Sequence, residues 1–199
     1  MNASKLSGTN RGSVDGGRAS SPVSHQYDLV RRRATTRVLH RNIERQTMWQ
    51  GTIESINIAD GAKEPMRAIA EARALPGVGL EGDRYALGQG TFFKPEPSYE
   101  LTLIEAEAIE ALRRDYAIEL APRDARRNLV TRDVPLNHLV GKEFFIGEVK
   151  IRGIRLCEPC DHLQHLTGQP VIKGLLHRGG LRAQILSEGT IHVGDIVRA

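Results

Sequence analysis

The residues with the most evident chemistry are two cysteines near the C-terminal end of the chain. Cys157 and Cys160 are the only cysteines among 199 residues. Two cysteines do not make a disulfide framework, and a pair at this spacing can form a short-loop redox disulfide, bind metal or present a reactive thiolate. Pro159 lies between them and predicts a stiff turn, because its ring fixes φ and removes a backbone donor. If a helix follows, its N-terminus favours a thiolate at Cys160, and Asp161 opposes that effect.

Two histidines follow the cysteines and raise the question of a zinc site. With His162 and His165 the segment reads C-x2-C-x-H-x2-H, which contains four side chains that zinc binds. Structural zinc sites commonly separate their two ligand pairs by roughly a dozen residues or more, and this pattern is much shorter. Four-ligand chelation would need a sharp backbone bend. A zinc site therefore remains an alternative to the interpretation that His162 and His165 are partly exposed residues of a helix.

Arginines and glycines recur in three segments. Arg178 and Arg182 flank the glycine pair of the sequence HRGGLR, residues 82–84 read GDR, and residues 126–128 read RRN. Guanidinium forks together with backbone amides that glycine leaves accessible suit a phosphate or another oxyanion. Turns with solvated arginines are the competing interpretation of each segment alone. Three such segments in one small domain predict an anion pocket.

The charge distribution argues against a nucleic-acid partner. Residues 1–47 carry nine Lys or Arg and three Asp or Glu, whereas residues 48–199 carry nineteen and twenty-one. The basic balance therefore lies in the first 47 residues, which are rich in Ser, Gly and Asn, and we expect them to form a disordered extension without an apolar signal segment. We expect a single folded domain over residues 48–199. No apolar run is long enough to span a bilayer.

The remaining pattern predicts a β-rich α+β domain. Strands are expected at residues 51–59, 70–75, 99–103 and 126–131, followed by a hairpin with its turn at Gly147-Glu148 and by two closing segments, GLRAQIL and TIHVGDIVRA. Two short helical pieces are predicted at residues 161–167 and 170–177. Strands at such spacing usually close into a barrel or a sandwich.

One long helix is predicted between the strands at 99–103 and 126–131. Thr102 and Glu105 have the spacing of a capping box, and apolar residues recur with helical period through about residue 115. Glu105, Glu107 and Glu110 are then expected to form the solvated face of this helix. Serine-hydrolase, P-loop and Rossmann fingerprints are not present in the sequence.

Six segments in this order resemble the MOSC domain, a family named from the C-terminal region of molybdenum-cofactor sulfurases. They are GVGLEGDRYALGQGTF, RRNLVT, PLNHLVGKEFFIGEV, RLCEPCDHLQHLTG, HRGGLRAQIL and GTIHVGD, and the resemblance covers about residues 50–199. It implies a closed β-barrel of the kind seen in the pyruvate-kinase barrel domain, with one long and several short helices. It also implies an essential cysteine, which in some relatives is a molybdenum ligand and in others is proposed to carry persulfide sulfur.

The resemblance also assigns roles to particular residues. Pro159-Cys160 matches the Pro-Cys pair that precedes a short helix in relatives, so Cys160 is the expected key thiolate and metal ligand, with Cys157 an accessory or resolving thiol. The residues expected to bind the cofactor are Asp83, Arg84, Arg127, Asn128, Arg178 and Arg182.

The resemblance thus implies a cytoplasmic protein that binds molybdenum cofactor, reduces N-hydroxylated compounds or transfers sulfur, and uses a separate electron-transfer or sulfur-donor protein. No nucleic acid or membrane partner is expected. Pyridoxal phosphate is associated with the sulfurases' other domain, and no Schiff-base lysine signal supports it here. The alternative is a non-catalytic barrel that binds an anionic ligand or a protein partner, with structural cysteines. Rapid thiol reaction near pH 6 would favour the first hypothesis.

Overall fold

A closed β-barrel organises the part of the chain that the structure, a computed structural model, describes, which is residues 49–199. The strands of this part are β1 Gln50–Ile58, β2 Arg67–Ile69, β3 Glu71–Leu75, β4 Gly79–Leu80, β5 Leu101–Glu105, β6 Leu129–Arg132, β7 Glu143–Ile146, β8 Val149–Leu156, β9 Leu181–Ile185, β10 Gly189–His192 and β11 Ile196–Arg198. The α-helices are α1 Ala106–Tyr116, α2 Asp161–Thr167 and α3 Val171–Leu175.

Seven strands close the barrel in the order β11-β7-β8-β9-β5-β6-β1, because β1 also pairs with β11. The pairs are antiparallel except β5 with β6, which are parallel. That parallel pair needs a crossover, and helix α1 supplies it. Strand β2 extends the sheet beside β1, while β10, β3 and β4 form a separate three-stranded sheet. The expected closed barrel is confirmed.

Alternation along the strands produces two hydrophobic layers. Leu101 and Leu103 of β5 point into the barrel, where Phe144 is fully buried. Ile104, the next residue, points outward into a second cluster with Val130 and the buried faces of the three helices. Helix α1 therefore covers the outside of the barrel, α3 packs against α1, and α2 packs against α3.

The structure confirms the predicted hairpin and both short helices but not the predicted capping box. The hairpin turn at Gly147-Glu148 joins β7 to β8, and helices form at both expected places after Cys160. The capping box is wrong, because β5 continues through Glu105 and the helix starts at Ala106 without a side-chain cap. The hydroxyl of Thr102 in β5 instead donates to Oδ1 of Asn128, the residue before the neighbouring strand β6, at 2.8 Å. The tertiary contacts of Thr102 inside a strand therefore prevail over the helix start that the local capping pattern favours.

The acidic residues at the start of α1 are not simply a solvated face. Glu105 is half-buried and accepts the Leu136 N–H at 2.8 Å, and Glu107 accepts the Asp133 N–H at 2.9 Å. Burial raises the pKa of Glu105. These carboxylates fix the loop that follows β6 to the helix.

The second closing segment divides into two strands with different places. Its first half, β10, pairs with β3 in the small sheet, and its second half, β11, closes the barrel between β7 and β1. Residues 1–47, for which a disordered extension is expected, lie outside the described residues. None of the helices in residues 49–199 is long and apolar enough to cross a membrane.

Candidate functional site

Both cysteines lie in the connection between two neighbouring barrel strands. This connection runs from the end of β8 to the start of β9 and contains α2 and α3. Because β8 and β9 are antiparallel neighbours, the two ends of the connection meet, and the Cys157 N–H donates to the Gly180 carbonyl at 2.7 Å. The predicted CEPC and HRGG segments are therefore paired backbones at one end of the barrel.

Arg127 joins these two backbones from inside the protein. Its side chain is buried, and its Nε and Nη2 donate to the carbonyls of Gly179 at 2.9 Å and Cys157 at 3.0 Å. A third bond, from Nη1 to Ala125 at 3.2 Å, fixes the guanidinium plane. Arg127 has no carboxylate partner among residues 49–199. It therefore brings an unneutralised positive charge to the floor of the cysteine loop.

Glu158 makes a second connection between the same two segments. Its carboxylate accepts the His177 N–H at 2.9 Å and lies 3.1 Å from His177 Nδ1. His177 has a positive φ of 61°, and Asn137 Nδ2 donates to its carbonyl at 2.6 Å. A non-glycine residue in this conformation persists where its surroundings hold it. These contacts hold the Glu158 carboxylate against the backbone and ring of His177.

The cysteine loop forms one wall of a pocket lined by arginines. Both cysteines line this pocket, but Cys160 is exposed whereas Cys157 is buried. The arginines that line the pocket are Arg84, Arg126, Arg127 and Arg182. Within the described part of the chain, only Arg84 of these four forms an ion pair, with Asp83. The pocket is thus strongly electropositive beside an accessible sulfur.

The GDR turn contributes to another part of the pocket wall through Arg84. Asp83 is almost fully buried, accepts N–H groups of Ala59 and Tyr85, and pairs with Arg84 at 3.1 Å. Asp83 is therefore the support of the turn, and Arg84 is the residue that reaches the pocket. Arg126 lies beside it, and burial together with Arg84 lowers the pKa of Arg126. Two neighbouring guanidinium groups share a single carboxylate, that of Asp83, and the positive charge left over favours a bound anion.

Three predicted cofactor ligands do not line the pocket, namely the buried Asp83 together with Asn128 and Arg178. Asn128 is buried behind the wall, where its Oδ1 accepts from Thr102 and its Nδ2 donates to the Asn57 carbonyl at 3.4 Å. Arg178 points toward α1, donating to the Gly174 carbonyl at 2.7 Å and lying 3.6 Å from Asp115. The structure therefore brings Cys160 together with Arg84, Arg127 and Arg182 and leaves Asn128 and Arg178 in supporting positions.

Zinc ligands do not assemble in this region. No group of three or more His, Cys, Asp or Glu side chains in residues 49–199 is placed to hold a metal ion. His165 Nδ1 lies 2.7 Å from the carbonyl oxygen of Asp161, in the same helix. His162 Nε2 instead lies 3.3 Å from Thr91 Oγ1. The compact four-ligand zinc alternative is wrong, because Cys157 is buried and each histidine ring is directed to a different partner.

His162 is a pocket residue that the sequence pattern presented only as a zinc candidate. It is half-buried, lines the pocket with Cys160, and meets Phe92 edge-on with ring centroids 5.3 Å apart. Burial, and secondarily the charge of Arg126, lowers the pKa of His162. The imidazole is therefore neutral at pH 7 and can accept or pass on a proton there.

The titration of His162 provides a first test of the pocket electrostatics. We expect an NMR titration to place its pKa below the ordinary value of 6.5, and Arg126→Gln to raise it. Added inorganic phosphate should also raise it, because an anion stabilises the imidazolium. By linkage, phosphate affinity should increase as the pH falls through this pKa. A His162 pKa that neither change moves would contradict the proposed proximity of the charges.

Arg127 provides a second test. Lysine keeps the charge but cannot donate to three carbonyls in one plane. We expect Arg127→Lys to cost about 2 kcal/mol of unfolding free energy, since buried carbonyls lose their donors, and to speed alkylation of Cys160 by loosening its loop. Arg178→Lys is the matched control, because that arginine makes one carbonyl bond outside the pocket. Urea denaturation measures both, and equal losses would contradict the role of Arg127.

Comparison with known proteins identifies the family. The sequence model of the MOSC domain matches residues 91–198, which include Cys160, Arg126, Arg127 and Arg182. The chain belongs to the MOSC domain family.

Solved structures support the MOSC fold. The YuaD protein from Bacillus subtilis superposes with a TM-score of 0.63 at 15% identity, covering 76% of this chain and 96% of its own. YiiM from Geobacillus stearothermophilus superposes with a TM-score of 0.58 at 14% identity, and 75% of each chain is covered. YiiM from Escherichia coli gives 0.53 at 17% identity, with 73% of this chain and 68% of its own covered. No curated protein sequence matches the chain significantly.

His162 and Glu158 line the MOSC pocket although sequence reasoning assigned neither a role in binding an anion, and Arg126 lines it although the sequence placed it only in the arginine-rich segment 126–128. Arg126 adopts a positive φ of 59°, which turns its side chain toward the carbonyls of Glu64 and Ala62. Its pairing with residues more than sixty positions earlier has no sequence signal. The adjacent basic pair at residues 126–127 was the only available indication.

Proposed function

We propose that this MOSC protein binds a phosphate-bearing molybdenum cofactor, or carries sulfane sulfur, with the sulfur of Cys160 as the reactive group. With the cofactor, its activity would be the reduction of N-hydroxylated substrates. One observation carries the proposal. An exposed cysteine stands at the edge of a pocket whose four arginines include three without an ion-pair partner in residues 49–199.

The chemistry of these donor groups fits such a cofactor. A thiolate is a soft ligand that suits molybdenum, and arginine forks suit a phosphate. The cavity beside Cys160 is about 80 Å³, smaller than the roughly 300–1,000 Å³ of pockets that enclose whole ligands. It therefore suits the metal end or the phosphate end of the cofactor, rather than the complete pterin. Bound there, the cofactor would supply the two-electron redox chemistry.

Each residue of the chain then has a distinct role. Cys160 would present sulfur, and Arg126 and Arg182 would hold the anionic group with the donors that they have free. Arg127 and Glu158 would keep the cysteine loop in place, because both join it to the backbone of residues 177–180. His162 would take up or release a proton beside the sulfur, since it is neutral at pH 7.

Sulfur carriage needs only the thiolate and a donor protein. The Cys160 thiolate would attack the terminal sulfur of a donor persulfide, forming the new S–S bond as the old one breaks and the donor cysteine leaves as a thiolate. The step exchanges one persulfide for another, so no external oxidant or reductant is required. A reducing compartment such as the cytoplasm would suit both versions, because both cysteines are free thiols.

Elemental and sulfur analysis of one preparation tests the proposal. Protein from a host that makes the cofactor would be analysed for molybdenum by mass spectrometry and for sulfane sulfur by cyanolysis. Molybdenum near one atom per chain would support the cofactor version, and sulfane sulfur without molybdenum would support the carrier version. Protein with neither, even after incubation with a persulfide donor, would contradict both and leave an anion-binding barrel.

A further inference from the structure

A second cavity lies on the other side of Tyr85 from the cysteine pocket. Its walls come from the turn after β3, the proline-rich segment before β5 and the side chain of Gln184 in β9. Its volume is about 390 Å³, several times that beside Cys160. This size falls within the range of cavities that bind small organic ligands, roughly 300–1,000 Å³.

A buried carboxylate is the main polar feature of this cavity. Glu100 is 7% exposed, yet it lines the cavity, and its Oε2 accepts the Ile185 N–H at 2.9 Å. Its other neighbour is the amide of Gly77. No Lys, Arg or His in residues 49–199 pairs with it. A carboxylate has about four acceptor positions, so two backbone amides leave Glu100 able to accept N–H groups from a ligand.

Two tyrosines give the cavity an aromatic wall. The rings of Tyr85 and Tyr99 are stacked, with centroids 6.2 Å apart and an interplanar angle of 27°. Arg182 lies 4.7 Å above the Tyr99 ring and belongs to the cysteine pocket. The arginine therefore holds Tyr99 in place from the other pocket. Arg84 and Arg155 also lie over these rings, 5.1 Å from the Tyr85 centroid and 5.9 Å from the Tyr99 centroid, so a planar ligand would contact mainly the ring edges.

The charged groups at the mouth of the cavity do not select a net charge. Lys94 and Glu96 are both exposed there, and their charges offset each other. Selection therefore comes from the buried carboxylate and the aromatic wall. A ligand suited to both has a planar ring with N–H donors on one edge.

We propose that this cavity is a binding site for a planar aromatic nitrogen compound, which packs against the edges of Tyr85 and Tyr99 and donates N–H groups to Glu100. The site does not depend on the proposed function of Cys160, because none of its ligand contacts involves the cysteine loop. A compound bound there would lie beside the cysteine pocket, separated from it by the shared side chain of Tyr85.

Binding of 2-aminobenzimidazole to the full chain, followed by NMR of the backbone amides, tests this site. We expect millimolar or tighter binding, with shifts concentrated at Gly77, Val78 and Gln184. 1-Methylindole has a ring system of the same size but no N–H donors. It should bind at least about five-fold more weakly, because the buried carboxylate would be left without donors from the ligand. This comparison uses only the unmodified protein and needs no variant to fold.

Glu100→Gln should weaken the binding of 2-aminobenzimidazole by about ten-fold, since the charge-assisted hydrogen bond to the carboxylate is lost. Glu105→Gln is the matched control, because Glu105 is also partly buried, accepts one backbone amide and lies outside the cavity. It should leave binding unchanged. Cys160→Ser should also leave binding unchanged, which separates this site from the proposed function. Equal binding of both compounds, or shifts confined to other surfaces, would overturn the proposal.

Discussion

Cys160→Ser is expected to reduce molybdenum and sulfane sulfur in the purified protein by about twenty-fold or more, to background. Serine keeps the size and the exposed position of the side chain but removes the only soft ligand and sulfur nucleophile at the pocket edge. The fold should be unaffected, because the side chain is exposed and such substitutions usually change unfolding free energy by less than about 0.5 kcal/mol. Mass spectrometry, cyanolysis and urea denaturation measure the three quantities.

The matched control for this change is Cys157→Ser. Cys157 is 4% exposed and belongs to the buried apolar residues, so a hydroxyl there should cost about 1–2 kcal/mol of unfolding free energy. Cys157 lines the same pocket but is far less accessible than Cys160, so the cofactor or sulfur content should fall much less than in Cys160→Ser. If the two variants lost the same amount while both stayed folded, Cys160 would not be the single reactive thiol, and a cooperating pair would replace it.

Gly180→Ala is expected to cost about 4 kcal/mol or more of unfolding free energy. Gly180 has a φ of +113°, and an added Cβ would lie 2.0 Å from the carbonyl oxygen of Leu103 in the neighbouring strand. The strained backbone and the steric clash add together. The movement that relieves the clash would also break the bond from the Cys157 N–H to Gly180. Chemical denaturation followed by circular dichroism measures the loss.

Gly168→Ala separates the effect of the backbone from the effect of the clash. Gly168 ends helix α2 with a φ of +62°, and no atom lies within 4 Å of its added Cβ. This variant should cost only about 1 kcal/mol, the usual cost of a non-glycine residue in the left-handed region. Similar losses for both glycines would show that the β5–β9 contact tolerates the methyl group, and the close packing at Gly180 would then have no energetic consequence.

Strand and turn positions were largely predictable from the sequence because they depend on local signals. Alternation of apolar residues and the turn at Gly147 predict the hairpin of β7 and β8, which the structure confirms. The capping pattern of Thr102 and Glu105 misled for a physical reason. Thr102 is nearly buried between neighbouring strands, and its bonds to Asn128 stabilise a strand where the local sequence favoured a helix start.

The parts of the site that lie far apart in sequence were decided by tertiary structure. Arg127 and Arg84 both reach the pocket, but their neighbours Asn128 and Asp83 point away into the protein. Alternation along a strand and the geometry of a turn send adjacent side chains to opposite sides, so a sequence segment cannot show which member faces a ligand. The side chains of Arg178 and Arg182 likewise point in different directions: Arg178 points toward α1, and Arg182 points into the pocket.

The sequence by itself determined the reactive element and the fold class. It contains two cysteines with a proline between them, an arginine-rich set of turns and the ordered segments of a MOSC barrel. Only the tertiary structure decided that Cys160 is exposed and Cys157 buried, and that Arg127 and Glu158 hold the cysteine loop. Exposure and long-range hydrogen bonding depend on which strands become neighbours, and that pairing is set by closure of the whole barrel.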